Sequence, residues 1–211
     1  MTLKSAFVGF VPVQAGVTLG RFIYEIDVAD VSVTLSATVP ADTVSADRTY
    51  DETSCVELSN GDIVARWRSK VGAKQRTLVG GIGGAWGSQV TVSGTNSDSH
   101  ACLYTGPLGS IIWAYNASAV GSRTNLTIRV STDDLATEPY SVLVDSRTNV
   151  SYPDVWVDQT TGDIKMIYDR ERASTTGTGA REVIMAHGFT VAQIIAGTAS
   201  PTLTVISDGS P

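Results

Sequence analysis

Two stretches of this chain are built to one plan. VELSNGDIVARW (56–67) and VWVDQTTGDIKMIYD (155–169) each alternate apolar and polar residues, break at a Gly-Asp turn, and alternate again. A period of two on both sides of a Gly-containing turn is the signature of an antiparallel hairpin. The rest of the sequence continues in that manner, with short β-branched and aromatic runs such as GRFIYEID, VSVTLSATV, GSIIWAYN and NLTIRVS between Gly, Asn, Asp, Ser and Thr. Helical periodicity is nearly absent, so a parallel sheet wound with helices is disfavoured. The one helix candidate is FTVAQIIAG, where Thr190 is placed to cap and Gly197 to terminate.

The expected class is therefore all-β. The runs fall into groups at about 5–39, 52–94, 100–146 and 152–207. That period, roughly 50 residues, lies in the range of β-propeller blades. A plain β-sandwich accounts for the number of strands but not for the recurrence of the Gly-Asp hairpin at the front of successive groups. A single domain over 1–211 is the default for this length.

Charge and composition remove several classes. With 15 Lys and Arg against 21 Asp and Glu, the chain has a formal net charge of -6, which argues against a nucleic-acid binder. An anionic ligand needs a local basic patch against that background. No apolar run is long enough for a membrane span. The start, MTLKSAFVGFVPVQAG, has no compact apolar block or small-residue cleavage site of the secretory kind. Cys55 and Cys102 each sit in an apolar run and read as buried thiols, a disulfide requiring adjacent strands. His100 and His187 lack metal-ligand spacing, and no metal or other cofactor is expected. The Asn-x-Ser/Thr triplets at Asn116, Asn125 and Asn149 are discounted as glycan sites.

A second kind of turn joins strands within a group. STDDLATE carries Ser131, Asp133 and Thr137, and GGIGGAWG around Trp86 keeps the glycines and the Trp without the Asp. Both resemble the Asp-box of the sialidase (neuraminidase, BNR-repeat) family, written Ser-x-Asp-x-Gly-x-Thr-Trp, with Leu135 in place of the Gly and Glu138 in place of the Trp. The resemblance extends from about Tyr50 to Ile206. Glu52 stands where the family has the glutamate that partners a catalytic tyrosine. Arg68, ending DIVARWRS, and Arg123, opening RTNLTIRVS, match the second and third arginines of the family's triad. Tyr152 in SYPDV matches the tyrosine nucleophile, with Tyr-Pro-Asp where many members have Tyr-Ser-Asp. Asp169 falls where many members have a glutamate that orients the first arginine.

The chemistry explains these residue types. Sialic acid carries a carboxylate on its anomeric carbon. Arginines hold such a group bidentately. A carboxylate nucleophile would be repelled by it, whereas a tyrosine deprotonated by a neighbouring glutamate is not. Taken singly, Arg68 and Arg123 read as surface arginines, Tyr152 as a turn anchor and Glu52 as a solvated carboxylate. Taken together, in family order, they read as a shared ancestral site.

The family's first arginine and general-acid aspartate come from its opening blades, and no Phe/Tyr-Arg-Ile-Pro element occurs here. Arg21, Asp27, Asp30 and Asp42 are weak substitutes. The resemblance thus implies the later blades of a six-bladed ring, or a four-bladed variant, acting on a sialoside-like acidic carbohydrate. Unpaired sheet edges imply homo-oligomerisation or a partner chain that completes the ring. The alternatives are a non-catalytic carbohydrate-binding propeller and a structural module of a surface or virion assembly. Few lysines and Thr/Ser/Gly-rich strands suit an extracellular, cell-surface or particle-borne protein.

Overall fold

The structure is a computed structural model. It describes the backbone of residues 4–11, 20–27 and 32–39, and both backbone and side chains at 52–69, 72–81, 83–92, 99–119, 121–171 and 181–208. The chain divides into two compact units, Met1–Val92 and Ser93–Pro211. Asp30 and Asp42 lie outside the described residues, as do the side chains of Arg21 and Asp27.

In the first unit, β1 (Lys4–Val11), β2 (Gly20–Asp27) and β3 (Ser32–Val39) form an antiparallel meander. A second sheet follows with β4 (Thr53–Glu57), β5 (Ile63–Trp67) and β6 (Lys74–Val79), then two short strands, β7 (Ala85–Trp86) and β8 (Val90–Thr91), which both pair with β6. The β4–β5 hairpin closes where the sequence predicts. Gly61 takes φ +84°, Asn60 receives the Asp62 N–H at 2.9 Å, and Leu58 bonds the Asp62 carbonyl at 2.8 Å. Ile63, Ala65, Trp67 and Leu78 form this sheet's apolar core.

The chain turns from β6 into β7 through glycines. A Cβ at Gly84 would collide with the Val79 carbonyl oxygen. This turn has no Asp of its own. Asp62, from the neighbouring hairpin, accepts the Gly80 N–H at 2.7 Å in its stead.

The second unit is two four-stranded antiparallel sheets. One runs β9 (Cys102–Thr105), β10 (Ile111–Asn116), β11 (Leu126–Ser131), β12 (Tyr140–Asp145). The other runs β13 (Val150–Val157), β14 (Asp163–Arg170), β15 (Glu182–Thr190), β16 (Thr202–Ser207). Ile112, Ala114, Leu126 and Ile128 of the first bury against Val155, Ile164, Met166 and Ile184 of the second. Each fully buried aliphatic side chain contributes about 1.5–3 kcal/mol. α1 (Val191–Ala196) is the predicted helix, with a Thr190–Gln193 capping box, Gly197 at φ +70°, and Val191 and Ile194 in the same core.

The β11–β12 turn is held by the side chains its sequence supplies. Ser131 Oγ donates to Asp133 at 2.8 Å and accepts the Leu135 N–H at 2.9 Å. Asp133 accepts the Thr137 N–H at 2.9 Å and the Thr137 hydroxyl at 2.6 Å, and these bonds hold its carboxyl below the usual range. Asp134 and Leu135 both take positive φ, +56° and +64°.

Candidate active site

In the first unit, Glu52 and Arg68 extend the β4–β5 register by one residue beyond the Thr53–Trp67 pair. The Arg68 N–H donates to the Glu52 carbonyl at 3.0 Å, which sets the two side chains opposite each other. Arg68 Nη1 then donates to Glu52 Oε2 at 2.9 Å. The sixteen-residue spacing is therefore one hairpin. Arg68 is buried, with 8% of its side chain exposed, so it is no ordinary surface arginine. Trp67, turned the other way into the core, fixes which face Arg68 occupies.

In the second unit, Tyr152 lies in a β-bulge. Pairing skips from Ser151–Asp169 to Asp154–Ile167, so Tyr152 and Pro153 together face Tyr168. Pro153 has no N–H for the ladder and is tolerated at such a point. Tyr152 takes φ +57°, a left-handed conformation costly for an aromatic residue and further disfavoured before a proline. Asp169 is half-buried and pairs with Ser151 at the edge of the bulge.

Arg123 is stitched to this strand. The Val150 N–H donates to the Arg123 carbonyl at 3.0 Å. Asn116, wholly buried at the end of β10, donates from Nδ2 to the Val150 carbonyl at 2.9 Å and to the Thr124 carbonyl at 3.2 Å. An asparagine so used has no room for a glycan. The result puts the Arg123 guanidinium carbon 5.3 Å from the centre of the Tyr152 ring. His100 stacks on the same ring, centroids 5.8 Å apart and planes 12° from parallel.

The structure thus pairs Glu52 with Arg68 in one unit, and Arg123 with Tyr152 in the other. Sequence reasoning passed over His100, of which it noted only the lack of metal-ligand spacing. Only its place at the head of the third group would have given it away.

It also passed over a polar network behind the bulge. Asp145 is buried and takes Arg147 Nε at 3.0 Å on Oδ1 and Nη2 at 2.6 Å on Oδ2. The Tyr168 hydroxyl donates to Asp145 Oδ2 at 2.7 Å. Glu182 accepts Arg170 at 2.8 Å and lies 3.8 Å from Arg147. Burial alone would push the Asp145 carboxyl up; the bonds from Arg147 and Tyr168 outweigh it and hold it below the ordinary value. Burial and the Asp145 charge push the Tyr168 phenol well up. The one-letter signal was DSR followed by MIYDR, but a turn Asp-x-Arg is too common to stand out.

Both cysteines are free, and burial raises each thiol to about 11. Among the described residues no group of His, Cys, Asp and Glu is arranged to hold a metal, and no helix is long and apolar enough to cross a membrane.

No family model matches the chain, and no curated protein matches it either. Solved structures do. The intramolecular trans-sialidase of Ruminococcus gnavus, in complex with oseltamivir carboxylate, superposes with TM-score 0.53 at 19% identity, over 71% of this chain and 33% of that one. This chain carries a sialidase-like β-propeller fold. The leech intramolecular trans-sialidase gives 0.51 at 18%, over 72% and 26%. An α-L-arabinofuranosidase of Fusarium graminearum gives 0.53 at 16%, over 80% and 51%. The chain therefore spans between about a quarter and a half of these proteins. Neighbours of this fold act on more than one sugar, so the fold alone does not choose a substrate.

Proposed function

We propose that this chain is a sialidase-like glycoside hydrolase domain whose ligand is a sialoside or related acidic sugar. The reading rests on one observation: Tyr152 is held out of ordinary strand geometry at φ +57° with the Arg123 guanidinium 5.3 Å from its ring. Strain of this kind persists where surrounding structure fixes it, and it concentrates at functional sites. In the proposed chemistry Arg123 holds the sugar carboxylate, Tyr152 Oη attacks the anomeric carbon, and Asp169 supports the site from behind. Arg68 as a second carboxylate ligand and Glu52 as the base are the roles the family resemblance assigns.

The binding-only reading is favoured by one fact. The sequence contains no Phe/Tyr-Arg-Ile-Pro element to supply the first arginine. An upstream segment, a second copy or another chain would provide that arginine and the general acid, in an extracellular or particle-borne setting. Tested by itself, the chain should hydrolyse ordinary sialosides poorly, because a missing general acid costs about 10²–10⁴ in rate. A sialoside with a good leaving group needs little acid assistance. Turnover of that substrate which disappears in Tyr152→Phe is the expected result. Binding of the acidic sugar without turnover would leave a carbohydrate-binding module. Neither binding nor turnover would leave a structural one.

A further inference from the structure

We infer that His100 is a positioning residue for Tyr152, its imidazole fixing the plane of the phenol beside Arg123; the inference rests on the reading of Tyr152 as nucleophile. The backbone explains why a ring at this position needs a partner. Tyr152 leaves the strand from a bulge, at positive φ, ahead of a proline. Its side chain is half-buried, so part of the ring meets solvent rather than the core. An aromatic stack supplies what the strand does not, since near-parallel rings at this separation attract and resist rotation.

His100 is itself well anchored. Ser99 before it is wholly buried. Cys102, two residues on and starting β9, is buried in the same core as Val155 of β13. That packing lays β9 alongside β13 and brings position 100 to the bulge. The phenol is thus held between His100 and Arg123, on two segments outside the β13–β14 ladder.

The consequence is kinetic. Attack by Oη requires the phenol in a near-attack orientation, and misplacement by about 1 Å costs up to about a hundredfold. The probe is a 3-fluorosialosyl fluoride. Tyr152 Oη forms a bond to the anomeric carbon, the carbon–fluorine bond there breaks, fluoride leaves, and the phenol proton passes to buffer base. No general acid is needed.

Capture is followed by intact mass, with the labelled peptide mapped. In His100→Ala the first-order capture constant should fall at least about tenfold, the probe's half-saturation concentration holding steady. His100→Phe, which keeps a flat ring, should restore most of the rate. Loss in both variants alike, or wild-type capture by His100→Ala, overturns the proposal.

A second measurement speaks for His100 even without capture. In protein labelled with 3-fluorotyrosine, the Tyr152 resonance is the one missing from Tyr152→Phe. It should move in His100→Ala and stay near its place in His100→Phe. A resonance indifferent to His100→Ala sinks the stack. A resonance that moves while wild-type protein is never captured sinks the nucleophile and leaves the stack standing.

Discussion

Leu135 shows what a single residue costs when it stands where a turn wants glycine. At φ +64° its side chain opposes the backbone, a penalty of about 1–2 kcal/mol, partly offset because glycine loses more freedom on folding. Leu135→Gly should therefore raise stability by about 0.5–1 kcal/mol, read as a higher denaturation midpoint with unchanged slope. A lower midpoint would mean that Leu135 packs in a way that outweighs its backbone. The sequence made this turn legible because Ser131, Asp133 and Thr137 act on their own neighbours, and local bonds follow local spacing. The same held for Thr190 and Gly197 on α1. It failed for His100, whose partner is fifty-two positions away and is met only through the packing of β9 on β13.

At the scale of elements, Asp145 ties the end of β12 to β14 and, through Arg147, to β15. Its carboxyl is held below its ordinary value near 3.8, so its contribution is complete above that pH and is lost as the pH falls through the lowered value. Asp145→Asn should destabilise the protein at neutral pH by about 1.5–3 kcal/mol, the range for a hydrogen bond to a charged group. The variant should also unfold less steeply with acid below about pH 4. Denaturant melts at pH 7 and pH 3 test both; equal losses at the two pH values would contradict the sign. None of this was legible beforehand, because a buried carboxylate in a polar turn looks like a solvated one until the strand register brings Tyr168 over it. The hairpins were legible for the opposite reason. Alternation and Gly-Asp turns lie within one segment, so the sixteen residues from Glu52 to Arg68 placed that pair without knowledge of anything else.

Across the whole molecule, sheet faces matter more than single contacts. One face of the β13–β16 sheet buries the second unit's core, while the other presents Trp156 and Ile167, 49% and 47% exposed, on adjacent strands. Exposed neighbouring apolar side chains on a sheet invite a partner. Sedimentation velocity over a range of concentrations should detect self-association that Trp156→Glu with Ile167→Lys abolishes. A monomer at every concentration would speak against it.

The bulge carries a last consequence. Along a strand, sides alternate strictly, so one surplus residue inverts the parity of everything beyond it. Pro153 is that surplus residue. Without it Tyr152 would face Tyr168 in even register, on the side of buried Val150, its phenol aimed into the core. Arginine, glutamate and tyrosine would all remain in the sequence, in unchanged order, and a scan for them would report the site intact. What such a chain would have lost is a count of one, an error of arithmetic rather than of chemistry.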